Sequence, residues 1–133
     1  MTGVRAMSWA RWGSWIAGVA ALLGAAGVAL AAAAAHGGGH PSLPTAANFL
    51  ILHGAGALAL VALSRGADAP RAYVLSATLM VLGVMLFSGD LTARALIGDR
   101  LFPMAAPTGG ALLIGAWLVG GVAGFVGAFY RRA

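Results

Sequence analysis

The stretch LFSGDLTARAL sets an aspartate and an arginine four residues apart, Asp90 and Arg94, and three histidines stand elsewhere at His36, His40 and His53. These types suit proton transfer, ion pairing or metal ligation. His36 and His40 flank the glycine-rich segment AHGGGHP and are the candidate pair for surface zinc or copper. Two histidines without a carboxylate or thiolate beside them make a poor closed site, so no metal and no cofactor is predicted. At a helical spacing of four, Asp90 and Arg94 can pair with each other, acid before base, the order that suits the helix macrodipole. Ser88, two residues before Asp90, is one of the few hydroxyls available to a buried histidine.

The surroundings of these residues are apolar. Of 133 residues, 61% are hydrophobic and 8% charged, against about 25% charged in soluble domains. Cysteine is absent and all eight basic residues are arginine, with neither lysine nor glutamate in the chain. Thiolate metal sites, Fe–S clusters, Schiff-base lysines and paired-glutamate catalysis are thereby excluded. The sequence shows no P-loop, HExxH, nucleophile elbow or dinucleotide-binding glycine pattern, so an enzyme is not expected. The formal charge of +5 is dispersed in single and paired arginines rather than gathered into a stripe, which argues against nucleic acid as a partner. The predicted partner is the lipid bilayer.

Four apolar runs, at about 12–35, 45–64, 71–96 and 108–130, position the polar residues. The first, about 24 residues, would rise roughly 36 Å as a helix, enough for a hydrocarbon core about 30 Å thick. Arg5 and Arg11 followed by ALAAAAAHGG imitate a signal peptide, but the apolar region exceeds the usual 7 to 15 residues. The segment is therefore expected to remain as a membrane span. Thr45 after Pro44 is the predicted start of the second helix, and Asp68 with Pro70 that of the third. Connections of roughly six to eleven residues predict antiparallel neighbours. The expected fold is an all-α, single-domain bundle of four transmembrane helices covering residues 1–133.

Arginine placement orients that bundle. With four spans, Arg5, Arg11, Arg65, Arg71, Arg131 and Arg132 fall on one side and Arg94 and Arg100 on the other. Positive residues in short loops mark the cytoplasmic face, so both termini are expected there, in a bacterial inner membrane. Trp9, Trp12 and Trp15, with Phe129 and Tyr130, would form the interfacial aromatic belt on that side. By helix rise His53 then lies roughly 12 Å below the outer boundary, too deep to share a haem with His36. An ionisable residue at membrane depth is a functional candidate; the structural alternative is a neutral imidazole bonded to a backbone carbonyl or to Ser88. Asp90 and Arg94 fall near the outer boundary, where an exposed pair would anchor the helix and contribute about 0 to 1 kcal/mol.

Helices in lipid associate by close approach and polar contact, because lipid is as apolar as leucine. Gly120 and Gly124 form a GxxxG pair, Gly127 extends it, and Gly89, Gly109 and Gly110 are further candidate packing glycines. Gly13, Ala17, Ala21 and Ala25 suggest a similar seam on the first helix.

The segments AAAAAHGG, LHGAGALAL, GVMLFSGDL and PTGGALLIGAW, in that order, resemble the small membrane family that includes bacterial YgdD and eukaryotic transmembrane protein 256, domain-of-unknown-function family 423. The likeness spans nearly the whole chain and implies four transmembrane helices. By resemblance His36, His53, Ser88, Gly89, Pro107, Gly109, Gly110 and Trp117 fall on the family's recurrent positions. The chain departs at Asp90, where the family usually has serine, and in a first outer loop that is shorter and richer in glycine. The resemblance implies no activity. The leading expectation is a structural or accessory membrane protein, as a homo-oligomer or as a subunit of a larger membrane complex. Two other classes compete: a haem- or metal-binding redox accessory protein using the histidines, and a small-solute transporter or channel. Few polar residues are available to line a path.

Overall fold

The structure, a computed structural model, describes residues 8–37, 39–67 and 70–130. Four helices follow in order: α1 (Trp9–His36), α2 (Ser42–Ser64), α3 (Pro70–Ile97) and α4 (Ala105–Tyr130), with no strand among the described residues. Each is long and apolar enough to cross a membrane. Asp68, expected to help open α3, lies outside the described residues, as do Arg5, Arg131 and Arg132.

Two helices start three residues earlier than the sequence suggests. α2 begins at Ser42 rather than Thr45, and α4 at Ala105 rather than Thr108. Pro44 and Pro107 therefore sit inside first turns, where a missing N–H does no harm because the first four amides of a helix have no intrahelical partner. α3 ends where Gly98 enters the left-handed region at φ 75°, a conformation that glycine adopts without a Cβ clash. Met104 does the same at φ 68° immediately before α4. Its carbonyl accepts the Thr108 amide at 2.9 Å, the first bond of that helix.

α2 and α3 form the middle of the molecule, burying Ala57, Leu60, Val61, Ala77, Met80, Val81 and Val84. Within their most apolar windows 44% of each is buried, against 17% for α1 and α4. The outer helices present Leu22, Leu118, Phe125 and Phe129 outward, an arrangement costly in water and natural in lipid. Contacts between α1 and α2 run in opposite numerical order: Gly13 lies against Val61, Ala20 against Gly54, and Gly27 against Ala47.

The α1 seam differs from the expected one. Gly13, Ile16, Ala20 and Gly27 are buried, whereas Ala21 and Ala25 are exposed. Steps of four residues rotate the stripe about 40° each time, while steps of seven drift only about 20°. Over three turns the first pattern leaves the neighbour and the second stays on it. Trp12 likewise departs from the expected belt, because its indole N–H donates to Thr78 Oγ1 at 3.0 Å and ties α1 to α3. Trp9 and Trp15 remain exposed.

Backbones approach most closely between α3 and α4. A Cβ on Gly109 would stand 2.5 Å from the Phe87 nitrogen and 2.7 Å from the Gly83 oxygen. Higher on the same seam the Ser76 hydroxyl donates to the Ala116 carbonyl at 2.6 Å, and Gly120 leaves room for Ser76 and Leu60. Gly110 and Gly124 are looser, with nearest neighbours at 3.9 Å and 3.8 Å, and Gly127 faces open space. On α4 the close contacts are thus made at Gly120 and at Gly109 against Gly83, while Gly27 and Gly54, which the motif did not pick out, bring α1 and α2 together.

Candidate polar sites within the bundle

His53 is 5% exposed, inside the bundle on α2. Its Nδ1 lies 2.9 Å from the Phe49 carbonyl, and since a carbonyl can only accept, that nitrogen is the donor. The ring is 5.1 Å from Phe49 and meets Trp117 of α4 edge-on at 6.2 Å. Of the two partners expected for His53, the backbone carbonyl is the one used. Ser88 is buried, and its hydroxyl has no hydrogen-bond partner. The link from His53 to the LFSG segment runs through rings instead, because Phe49 stacks on Phe87 at 4.4 Å. Residues 87 and 88 point about 100° apart around a helix, so only one of them can face α2 at this level.

Asp90 is where structure and sequence reading differ most. The pair with Arg94 forms, with an Arg94 amino group donating to Asp90 Oδ2. Its setting is not the exposed rim: the Asp90 side chain is 0% exposed and that of Arg94 34%. The second carboxylate oxygen, Oδ1, accepts the Leu101 backbone N–H at 2.9 Å. Asp90 therefore holds the turn between α3 and α4 onto the end of α3 while Arg94 balances its charge. Burying a carboxylate without such partners would be costly. Arg94 Nε is itself buried without a partner, so the guanidinium is engaged from one side only.

Beside this turn, the Ser42 hydroxyl donates to the Leu91 carbonyl at 3.1 Å, joining the start of α2 to α3. His40 Nδ1 lies 2.8 Å from the same Ser42 oxygen. His36 Nδ1 instead donates to Ala32 of its own helix at 2.8 Å, at an exposed position. The two outer histidines thus have separate partners. Among the described residues no group of three or more histidine, cysteine, aspartate or glutamate side chains converges as a metal site would. The roles of Ser42 and the Leu101 amide were not anticipated. A short hydroxyl after His40 and a turn eleven residues beyond Asp90 are weak signals until the chain ends are brought together.

The family described as "Protein of unknown function (DUF423)" matches the chain over residues 23–110. That range runs from α1 into the first turns of α4 and includes His36, His53, Ser88, Asp90 and Gly109. No curated protein and no solved structure matches the chain.

Proposed function

The chain belongs to the DUF423 family, and from that footing we propose that it is a multi-pass membrane protein of accessory type, an antiparallel four-helix bundle that supports a membrane assembly rather than catalysing a reaction. One observation carries this reading: the ionisable groups inside the bundle are engaged by the chain itself. Asp90 is held by Arg94 and Leu101, and His53 by Phe49. Groups used in this way position backbone and rings. The outer helices, with most of their apolar surface uncovered, are where lipid, a second copy or a larger partner would pack.

Purification in mild detergent tests it. The expected preparation migrates as an assembly larger than the 13.2 kDa chain with neither visible absorbance nor stoichiometric metal, and His53→Leu remains folded with the same assembly. Interhelical hydrogen bonds in membranes average only about 0.6 kcal/mol, and this one is internal to α2, so stability should change little. A folded His53→Leu protein that had lost a chromophore or metal present in the parent would replace the accessory reading with a redox one.

The same reading places both termini in the cytoplasm of a bacterial inner membrane, supported by Arg11, Arg65 and Arg71 at one end of the bundle and Arg94 and Arg100 at the other. Green fluorescent protein fused after Ala133 should fluoresce, and alkaline phosphatase at the same junction should be inactive. The opposite pair of results would reverse the orientation.

A further inference from the structure

We propose that the cleft between the start of α1 and the α2–α3 turn binds one anionic phospholipid, with its phosphate on Arg65 and Arg71 and an acyl chain against Trp9, Ala10 and Pro70. The cleft, about 350 Å³, is lined by Trp9, Ala10, Gly13, Val61, Arg65 and Val74, among others. Its composition is that of an amphiphile site, with a cationic and aromatic mouth above an apolar floor.

Arg65 lines the cleft and Arg71 stands beside it, against the lining ring of Trp9; both guanidiniums are held by neutral groups. Arg65 donates to Ser14 Oγ at 3.3 Å, and the Arg71 guanidinium lies 5.9 Å from the centre of the Trp9 ring. Neither contact neutralises its charge. Among the described residues the one ion pair is Arg94 with Asp90, at the far end of α3. The Ser14 contact leaves most of the Arg65 donors free, and stacking leaves the edge of a guanidinium open for an anion. A phosphodiester complements two such forks, since each can donate in parallel to its oxygens.

The apolar surface beside the arginines is what selects a lipid over free phosphate. The floor is closed, since Gly13, Val61 and Val74 are buried and a Cβ on Gly13 would already touch Val74 Cγ2 at 3.5 Å and Val61 Cγ1 at 3.6 Å. The accessible apolar lining is that of Trp9, Ala10 and Pro70, directly beside the charged mouth. Basic pockets between helices near the cytoplasmic surface suit anionic head groups. A zwitterionic lipid offers the same phosphodiester but adds a choline cation that two arginines repel, so the anionic lipid is the one preferred. The inference rests on the membrane reading of the helices and is independent of the accessory role.

Native mass spectrometry of the full chain, titrated with phosphatidylglycerol or phosphatidylcholine of the same acyl chains, tests it. One phosphatidylglycerol should be retained per chain, at least tenfold more tightly than phosphatidylcholine. Arg65→Gln with Arg71→Gln should abolish that preference, while Arg100→Gln at the opposite end should leave it intact. If the glutamine pair failed to fold, Arg65→Lys with Arg71→Lys keeps the charge, loses the forks and should weaken the preference several-fold. Equal retention of the two lipids by the parent would overturn the proposal. So would equal losses in Arg100→Gln and the double variant, the sign of general charge attraction. Displacement of the lipid by millimolar inorganic phosphate would show a free-anion site instead. Asp68 lies in the same turn outside the described residues; if Asp68→Asn produced the anionic preference where the parent had none, an internal ion pair would have taken the place of the lipid. None of these outcomes depends on whether the chain joins a larger assembly.

Discussion

Gly109→Ala should destabilise the bundle by about 3 kcal/mol or more, while Gly110→Ala, one residue away, should leave stability unchanged or raise it by up to about 1 kcal/mol. A Cβ at Gly109 would meet the Phe87 nitrogen at 2.5 Å, the Gly83 oxygen at 2.7 Å and Leu86 Cβ at 3.0 Å. The two closest atoms are backbone, which cannot rotate away as the end of a flexible side chain can. α3 and α4 would have to separate, weakening the contacts between Gly83, Gly109 and Leu113, and the strain would spread along the seam toward Ser76 and Ala116. At Gly110 the nearest atom is Phe87 Cδ2 at 3.9 Å, an ordinary contact. Alanine there also raises helix propensity by about 1 kcal/mol over glycine, which offsets small losses. Unfolding by denaturant in detergent micelles, followed by circular dichroism, reads both variants against the parent. Equal midpoints for the two would mean that α3 and α4 are not in the backbone contact described above.

Asp90→Ala should cost about 3 kcal/mol, far more than an exposed helix pair of the same spacing, and most of that loss should vanish when Arg94→Ala is added. Removing the carboxylate leaves the Leu101 amide without its acceptor and the Arg94 guanidinium without its counter-charge. Because Arg94 is one-third exposed, it can swing toward the head groups, which places the effect at the lower end of the range for broken buried pairs. The turn between α3 and α4 should loosen at the same time, visible as faster amide exchange from Gly98 to Met104. Asp90→Ser, which keeps an oxygen near Leu101 but removes the charge, should fall between parent and alanine. Single and double variants with equal losses would show that the bond to Leu101, and not the ion pair, supplies the stabilisation.

The two expectations also mark where sequence patterns stop. Gly109 and Gly110 are equivalent as letters in PTGGALL, and only the rotation of α4 against α3 makes one a backbone contact and the other a spectator. Asp90 and Arg94 could be paired from their spacing of four. The spacing did not reveal that the turn after Ile97 folds back so that Leu101 covers the carboxylate, changing a surface pair into a buried one. For His53 the order was similar: its place inside an apolar run was legible, while its neighbours Phe49 and Trp117, and Phe87 stacked on Phe49, followed from which faces of three helices meet.

What the sequence determined by itself is what depends on length, composition and local order: four runs long enough to cross a bilayer, the turns between them and the identity of the polar residues inside. Those properties survive any rotation of the helices, because a span is apolar or not whatever it packs against. The tertiary structure alone decided which stripe of each helix is covered. Apolar residues lie on every side of α1 and α4, so no amphipathic face announces the seam, and the choice falls to backbone approach at Gly54, Gly83 and Gly109. In lipid, where burying leucine brings no advantage over leaving it exposed, shape and a few hydrogen bonds decide between packings that composition leaves equal.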